Sequence, residues 1–267
     1  MLSIRMNPRL LTLLLALLSA CTVKEDRSAC PCLLTVDLSN TLDAGITPPS
    51  LWDRDLNLFL FPESGEEVRQ VIRYEEAVPE YVFRVAKGDV GVSGVLGLES
   101  GIVEGTVLSV PEGRQADGVY VSSDRVPCFG EEARTVLEMY KQFVNVEVFG
   151  LDSLGRRMEV TAACSGLDLL TCEALPGRFR CPLVCDADGV CRVRLPRQTG
   201  NDILILLYDE AGRLDNRIPL GLYLEEIHYD WSAPSLTDVT LYIDRVMASV
   251  SISVSGWTYT IEFPYII

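Results

Sequence analysis

The residues with the most chemical potential in this 267-residue chain are its nine cysteines. Four of them are close enough in sequence to meet across two short hairpins. A hairpin folded about the Pro-Gly pair between them would place Cys172 opposite Cys181, and a three-residue Ala-Asp-Gly loop would place Cys185 opposite Cys191. Opposed residues in a non-hydrogen-bonded antiparallel pair lie within disulfide range. The sequence therefore predicts the disulfides Cys172–Cys181 and Cys185–Cys191.

Two other interpretations of these cysteines stay open. Cys181, Cys185 and Cys191 could bind zinc together with Cys172 or Cys164, although the spacing lacks the two tight knuckles of a zinc ribbon. The same residues could also be free, buried thiols. Nine cysteines are many for a cytosolic chain, and their number indicates an oxidising compartment.

A second cysteine group opens the mature part of the chain. Cys30 and Cys32 are separated by a single proline and are too close to bond to each other comfortably. One of the two could instead reach Cys128.

The sequence carries no motif of a known catalytic site. It has no Gly-x-Ser-x-Gly, no His-Glu-x-x-His and no phosphate-binding loop, and His228 is its one histidine. Its carboxylates show no spacing that marks a catalytic pair. The 38 acidic and 23 basic residues give a net charge of −15 without a basic run, which argues against nucleic-acid binding. We therefore expect a protein without enzymatic activity, resident metal or cofactor.

The N-terminus has the pattern of a bacterial lipoprotein signal peptide. Arg5 and Arg9 precede an apolar stretch over residues 10–18, which is too short to span a bilayer as a helix. The stretch ends in Leu-Ser-Ala followed by Cys21, the order of a lipobox. The pattern predicts cleavage after residue 20 and attachment of acyl chains, palmitate among them, to Cys21. An ordinary secretory signal with a chance cysteine is the alternative.

The segment behind Cys21 predicts where the lipoprotein resides. Residues 22–28 read Thr-Val-Lys-Glu-Asp-Arg-Ser, a charged tether in which a lysine is followed by two acids. This order resembles the surface-export signal of Bacteroidota lipoproteins, whereas a merely solvated linker is the alternative. We expect the protein on the outer membrane, lipid-anchored and exposed to the outside.

The rest of the chain is patterned as short strands. Apolar and polar residues alternate at Leu34–Leu38, Leu56–Leu60, Tyr81–Val85, Val144–Val148 and Val190–Leu195, with glycine and proline between many of the segments. Only Thr135–Lys141 and Leu222–Ile227 suggest short helical turns. The pattern predicts an all-β protein with a signal peptide over 1–20, a lipidated tether over 21–32, and two tandem β-sandwiches over 33–130 and 131–267.

The last strand pattern, Val250–Phe263, is unusual for a chain terminus. Apolar residues alternate with serine and threonine on both sides of Gly256, where we expect a kink or bulge. The second half carries Trp257, Tyr259, Ile261 and Phe263. A strand of this kind at a free terminus can pair with an open sheet edge of another subunit. The alternative is an edge strand of the chain's own sandwich.

The start of the mature sequence resembles a known family. The motif runs from Cys21 through the charged tether to Cys30-Pro31-Cys32 and the strand over residues 33–38. It is similar to FimB-type fimbrial anchor lipoproteins of Bacteroidota, the anchor subunits of type V pili. The likeness continues at pattern level to the strand Gly256-Trp257-Thr258. It implies two transthyretin-like Greek-key sandwiches, outer-membrane anchoring and a position at the base of a pilus.

The resemblance also implies a partner and a mechanism. The partner is a fimbrial stalk subunit. Stalk subunits lose their first strand to a protease and accept a strand from a neighbour, whereas an anchor keeps its first strand and so ends growth. The alternative function is a surface lipoprotein for adhesion that binds glycans or host ligands through exposed aromatic residues such as Trp52 and Trp231.

Overall fold

The computed structural model describes residues 30–43, 49–151, 157–244 and 249–262. The predicted lipidation site Cys21 and the last predicted donor residue, Phe263, lie outside the described residues. Twenty strands, one α-helix and two short 3-10 helices lie in the described part of the chain, and the strands and the α-helix position the site. They are β1 Cys32–Asp37, β2 Asp55–Pro62, β3 Val68–Arg73, β4 Glu80–Val85, β5 Asp89–Leu96, β6 Ile102–Glu104, β7 Val107–Ser109, β8 Tyr120–Pro127, β9 Glu132–Val136, β10 Tyr140–Lys141, β11 Phe143–Phe149, β12 Met158–Asp168, β13 Ala174–Pro182, β14 Val184–Cys185, β15 Cys191–Pro196, β16 Leu204–Tyr208, β17 Leu214–Ile218, α1 Leu220–Glu226, β18 Val239–Asp244, β19 Ser249–Val254 and β20 Trp257–Glu262.

The first sandwich packs a three-stranded sheet on a five-stranded sheet. The strand orders are β4-β1-β9 and β10-β8-β5-β2-β3. Strand β1 is central in the smaller sheet because it pairs antiparallel with β4 and parallel with β9. Alternation along the strands sends every second side chain between the sheets. That core includes Cys32, Leu34, Val36, Leu58 and Leu60, all fully buried.

The second sandwich repeats this arrangement. Its sheets have the orders β14-β15-β11-β18-β19-β20 and β17-β16-β12-β7-β6, with β13 also paired to β12. Strand β11 pairs antiparallel with β15 and parallel with β18, as β1 does with β4 and β9. Strands β12, β13, β16 and β17 likewise pair in the pattern of β2, β3, β5 and β8. The all-β prediction with two tandem sandwiches is confirmed.

The two sandwiches share a packed interface. The β6–β7 hairpin comes from the first half of the sequence, but β7 pairs with the end of β12 in the second sandwich. A small apolar core between them joins Phe59 and Val121 from the outer face of the first sandwich to Leu108, Leu167 and Leu169. The hairpin and this core tie the two sandwiches together.

The division between the sandwiches lies later than the sequence suggested. We expected it between residues 130 and 131, yet β9 pairs with β1 and β10 pairs with β8 in the first sandwich. Apart from the β6–β7 hairpin, sheet membership therefore changes after Lys141. The helical turns expected at Thr135–Lys141 are wrong, because this segment contains the end of β9 and the whole of β10. The helix expected at Leu222–Ile227 is present as α1.

Candidate attachment surface on the C-terminal hairpin

The chain reverses between β19 and β20 instead of continuing as one kinked strand. Ser255 has a φ of 51° and Gly256 a φ of 79°. Two consecutive residues in the left-handed region form the two-residue turn that suits the twist of a β-hairpin. Six residue pairs follow, from Val254 opposite Trp257 to Ser249 opposite Glu262. The kink or bulge predicted at Gly256 is corrected to a tight hairpin turn.

The register of this hairpin decides what each face carries. Trp257 and Tyr259 stand opposite Val254 and Ile252, on the face that β19 turns towards the core. Ile252 is fully buried there, but 73% of Trp257 and 47% of Tyr259 are exposed. The core face of β20 therefore projects beyond the apolar cover that the described part of the chain supplies.

The opposite face of the hairpin is polar. Ser251 and Thr260 are cross-strand partners whose hydroxyl oxygens lie 3.0 Å apart. On the same face, the Thr258 hydroxyl donates to the Ser253 hydroxyl over 3.5 Å. One side of β20 is thus suited to water and the other to an apolar groove.

Strand β20 also presents a free edge. Within the described residues it pairs only with β19 and ends its six-stranded sheet. The equivalent sheet of the first sandwich stops at β9, the counterpart of β18, so the β19–β20 hairpin is an addition to the shared seven-strand pattern. Of the four predicted donor residues, Trp257, Tyr259 and Ile261 lie on this strand. We call the exposed core face and free edge of β20 the attachment surface.

One of the two predicted cysteine pairs is bonded in the structure. Cys185 and Cys191 are partners in the β14–β15 hairpin and are joined by a disulfide. The predicted loop is present, with Gly189 at a φ of 78° and its N–H donating to the Asp186 carbonyl. Arg192 adds hydrogen bonds and ion pairs to Asp186 and Glu147 on the outer face.

The other predicted disulfide, Cys172–Cys181, is not formed in the structure. Both thiols are free, because the chain does not fold back at Pro176-Gly177 and instead runs through it as β13. Cys181 stands opposite Val160 of β12. Burial, followed by the charge of Glu159, raises the pKa of this thiol to about 12. A zinc site is not seen either, since no cluster of metal-binding side chains occurs among the described residues.

Cys172 lies at the interface between the sandwiches. It has a φ of 56°, and its sulfur is 3.2 Å from the Ser123 hydroxyl of β8. Burial raises the pKa of this thiol. These contacts hold Cys172 against the first sandwich and away from Cys181.

Trp231, which we expected to be an exposed aromatic residue, is buried in the structure. Only 8% of Trp231 is exposed, and its indole N–H donates to Asn201 over 3.1 Å. The loop around it is held by buried Arg197, whose guanidinium donates to the backbone carbonyls of Trp231, Ala233 and Pro234. Trp52 remains 42% exposed in the first sandwich. The exposed tryptophans of the described chain therefore lie in different sandwiches and do not form a cluster.

A buried carboxylate, which the sequence pattern did not mark, braces the second sandwich. Glu159 on β12 is 6% exposed and accepts hydrogen bonds from Arg157, Arg180 and Tyr208. Burial alone would raise its pKa, but these three hydrogen bonds outweigh the burial and lower the pKa from 4.5 to about 2. The group is held as a carboxylate in the folded protein.

We expect Glu159→Gln to destabilise the protein at neutral pH. A pKa lowered in the folded state contributes stability above the unfolded value, and this contribution is lost as pH falls from about 4.5 through about 2. The shift corresponds to a loss of roughly 3 kcal/mol at pH 7. Urea unfolding at pH 7 and at pH 2.5 measures the loss and its decrease at low pH.

Glu147→Gln is the matched control for this measurement. Its side chain is 40% exposed and paired with an exposed Arg192, so its loss should cost much less. A Glu159→Gln effect that stays constant down to pH 2.5 would contradict the electrostatic account.

Comparisons with known proteins find the fold but no family model. No family model and no curated protein matches the chain. The fimbrial anchor protein Mfa2 from Porphyromonas gingivalis matches with a TM-score of 0.57 and 14% identity, over 86% of this chain and 99% of that chain. The chain is similar in fold to a fimbrial anchor protein.

Two further solved structures share this fold. A Bacteroides thetaiotaomicron protein proposed to bind polysaccharide has a TM-score of 0.63 and 13% identity, over 86% of this chain and 98% of that chain. A proposed adhesin from Bacteroides ovatus has a TM-score of 0.59 and 10% identity, over 88% and 97%. At these identities the likeness to all three proteins is one of fold. The shared architecture spans both sandwiches.

Proposed function

We propose that this protein is a non-enzymatic lipoprotein that anchors a fimbria to the outer membrane and ends its growth. Its partner is the first stalk subunit, joined to it by strand donation from β20. The observation that carries the proposal is the attachment surface, because Trp257 and Tyr259 face the core side of their sheet yet stay exposed. Large apolar side chains in that position favour a partner's groove.

The hairpin supports strand donation because pairing with β19 keeps β20 extended before a partner binds. Pairing with β19 satisfies one edge of the strand, while the other edge stays open to a partner. The serine and threonine face can remain in water as the aromatic face enters a groove. A stalk subunit with an open sheet edge and an apolar groove matches both features of the surface.

Strand β1 supports the terminal position. It is paired on both sides, and its core-facing residues Leu34 and Val36 are fully buried. A sandwich whose central strand is in place has no vacant groove for a neighbour's strand. The protein would thus give a strand to the pilus and accept none.

The proposal that the protein is attached to the membrane is based on the sequence alone. The lipobox at Cys21 and the acidic tether behind it supply the expected outer-membrane attachment and surface exposure. No helix in the described part of the chain is long and apolar enough to cross a bilayer.

The proposal is tested by removing the gene from its bacterium. We expect pilus protein to move from the cell pellet to the medium and the released pili to be longer. Re-expression should restore both values, and the protein should copurify with the base of pili sheared from the restored cells. Unchanged pilus length and retention in the deletion strain would contradict the anchor function.

A further inference from the structure

Two cysteines outside the predicted pairs meet at one end of the first sandwich. Cys32 is the first residue of β1 and points into the core with Leu34. Cys128 follows β8, and its N–H donates to the Gly88 carbonyl over 2.9 Å. Cys32 stands opposite Val85, and residues 85–88 cross from the smaller sheet to the larger. The crossing brings the two cysteines together from opposite sheets.

Both side chains are shut away from water. Cys32 and Cys128 are each 0% exposed and belong to the same apolar core. The segments that carry them are also joined, because the Leu33 N–H donates to the Glu131 carbonyl over 2.8 Å. Burial first, and then the neighbouring Cys32, raises the pKa of Cys128 to about 12. Two facing thiols in such a place gain no solvent contact and no strong hydrogen bond from staying reduced.

We propose that Cys32 and Cys128 form an inter-sheet disulfide in the exported protein. Both S–H bonds break and one S–S bond forms. The two electrons and two protons pass to an external protein or small-molecule disulfide, which becomes a dithiol. Because the folded core excludes such a reagent, the bond forms before β1 has closed onto the larger sheet.

The bond would fix the strand that a pilus subunit can exchange. It joins the first residue of β1 to the opposite sheet and closes a loop of almost the whole first sandwich. This consequence rests on the proposed function, in which the anchor keeps β1 and accepts no strand. The disulfide itself is a property of the isolated protein and can be tested without pili.

Peptide mapping tests the bond directly. Protein from the cell-surface fraction is denatured in iodoacetamide without reductant and then digested. We expect the peptide that holds Cys32 to be linked to the peptide that holds Cys128, while Cys164 is alkylated. The link should survive in Cys30→Ser and vanish in Cys32→Ser. Alkylation of both cysteines, or a link made by Cys30, would overturn the proposal.

Reduction of the wild-type protein tests what the bond does. Unfolding and refolding in dithiothreitol should lower the Tm by about 10 °C. Amide exchange in β1 should become at least tenfold faster, whereas exchange in β16 of the second sandwich should not change. Because the reductant also opens the Cys185–Cys191 disulfide, the control is Cys185→Ala with Cys191→Ala, which should respond to the reductant as the wild type does. Equal exchange of β1 in both redox states would overturn the fixing of this strand, even with the bond present.

Discussion

Deletion of residues 257–267 is expected to leave a folded, membrane-bound protein that no longer holds a pilus. The deletion removes β20, whose Trp257 is mostly exposed and whose Tyr259 is about half exposed, and neither belongs to the buried core of the second sandwich. Strand β19 would then become the sheet edge, and its buried residues Val250 and Ile252 would keep their contacts with the second core. The deletion should therefore weaken binding of the pilus subunit and leave the fold intact.

A subtler variant separates the aromatic face from the strand itself. Trp257→Ser with Tyr259→Ser keeps the length, turn and register of β20 but removes its two largest exposed apolar groups. If both side chains enter a partner's core, their loss removes about 4 kcal/mol, close to a thousandfold weaker binding. Binding to pili sheared from a strain that lacks this protein measures the effect.

Trp52→Ser is the matched control, since Trp52 is an exposed tryptophan of the first sandwich. It should leave both pilus retention and binding at wild-type level. If the truncated protein retains pili, or simply fails to fold, strand donation from β20 is wrong. If Trp52→Ser weakens attachment as much as the β20 variants do, the exposed aromatics act as an adhesive surface instead.

Alternation made most of the fold predictable, and turn geometry limited the rest. Residues 34–38 and 144–148 were predicted as strands because every second residue is apolar, and β1 covers all of the first segment but Leu38 while β11 covers the second. The same alternation resumes after Gly256, so the sequence suggested one strand with a kink or bulge. Glycine adopts positive φ freely, but serine rarely does. The φ of 51° at Ser255, which completes the turn, could therefore not be predicted from the residue type.

Long-range pairing explains the remaining differences. The Pro-Gly pair at 176–177 is typical of a turn, but the chain stays extended there because β12 pairs along it through two register shifts. Residues 132–136 join the first sandwich because β1 offers a parallel edge, a contact that no local pattern encodes. The repeat of the two sandwiches was likewise hidden, since it lies in strand pairing and not in similar residues.

Only part of the candidate site could be predicted from the sequence. The exposed aromatic face of β20 follows from its alternation, whereas its pairing with β19 does not. Glu159 was one of 38 acidic residues in the sequence, and only the fold brings Arg180 and Tyr208 to it. The sequence allowed either Cys30 or Cys32 to reach Cys128, and only the sheet that each strand enters places Cys32 in the same core as Cys128.

Cys21→Ala is expected to release the protein from the membrane altogether. Acyl chains on the N-terminal cysteine would supply the attachment, since each buried methylene contributes about 0.8 kcal/mol and two or more chains hold a protein firmly. Labelled palmitate should appear in the wild-type protein and be absent from the variant, which should fractionate with soluble protein. Cys30→Ala is the matched control, because this exposed cysteine lies just beyond the charged residues 22–28 and should not affect labelling.

The charged tether should determine on which side of the outer membrane the protein resides, and it should not affect membrane attachment. Glu25→Ala with Asp26→Ala removes the acids behind the lysine while leaving the lipobox intact. We expect this variant to carry the label and sediment with membranes, yet to resist protease added outside intact cells. Equal labelling of the wild type and Cys21→Ala would refute lipidation at this residue. Cleavage of the acid-free variant by external protease would refute the export role alone, because an anchored protein that still reaches the surface needs no acidic signal.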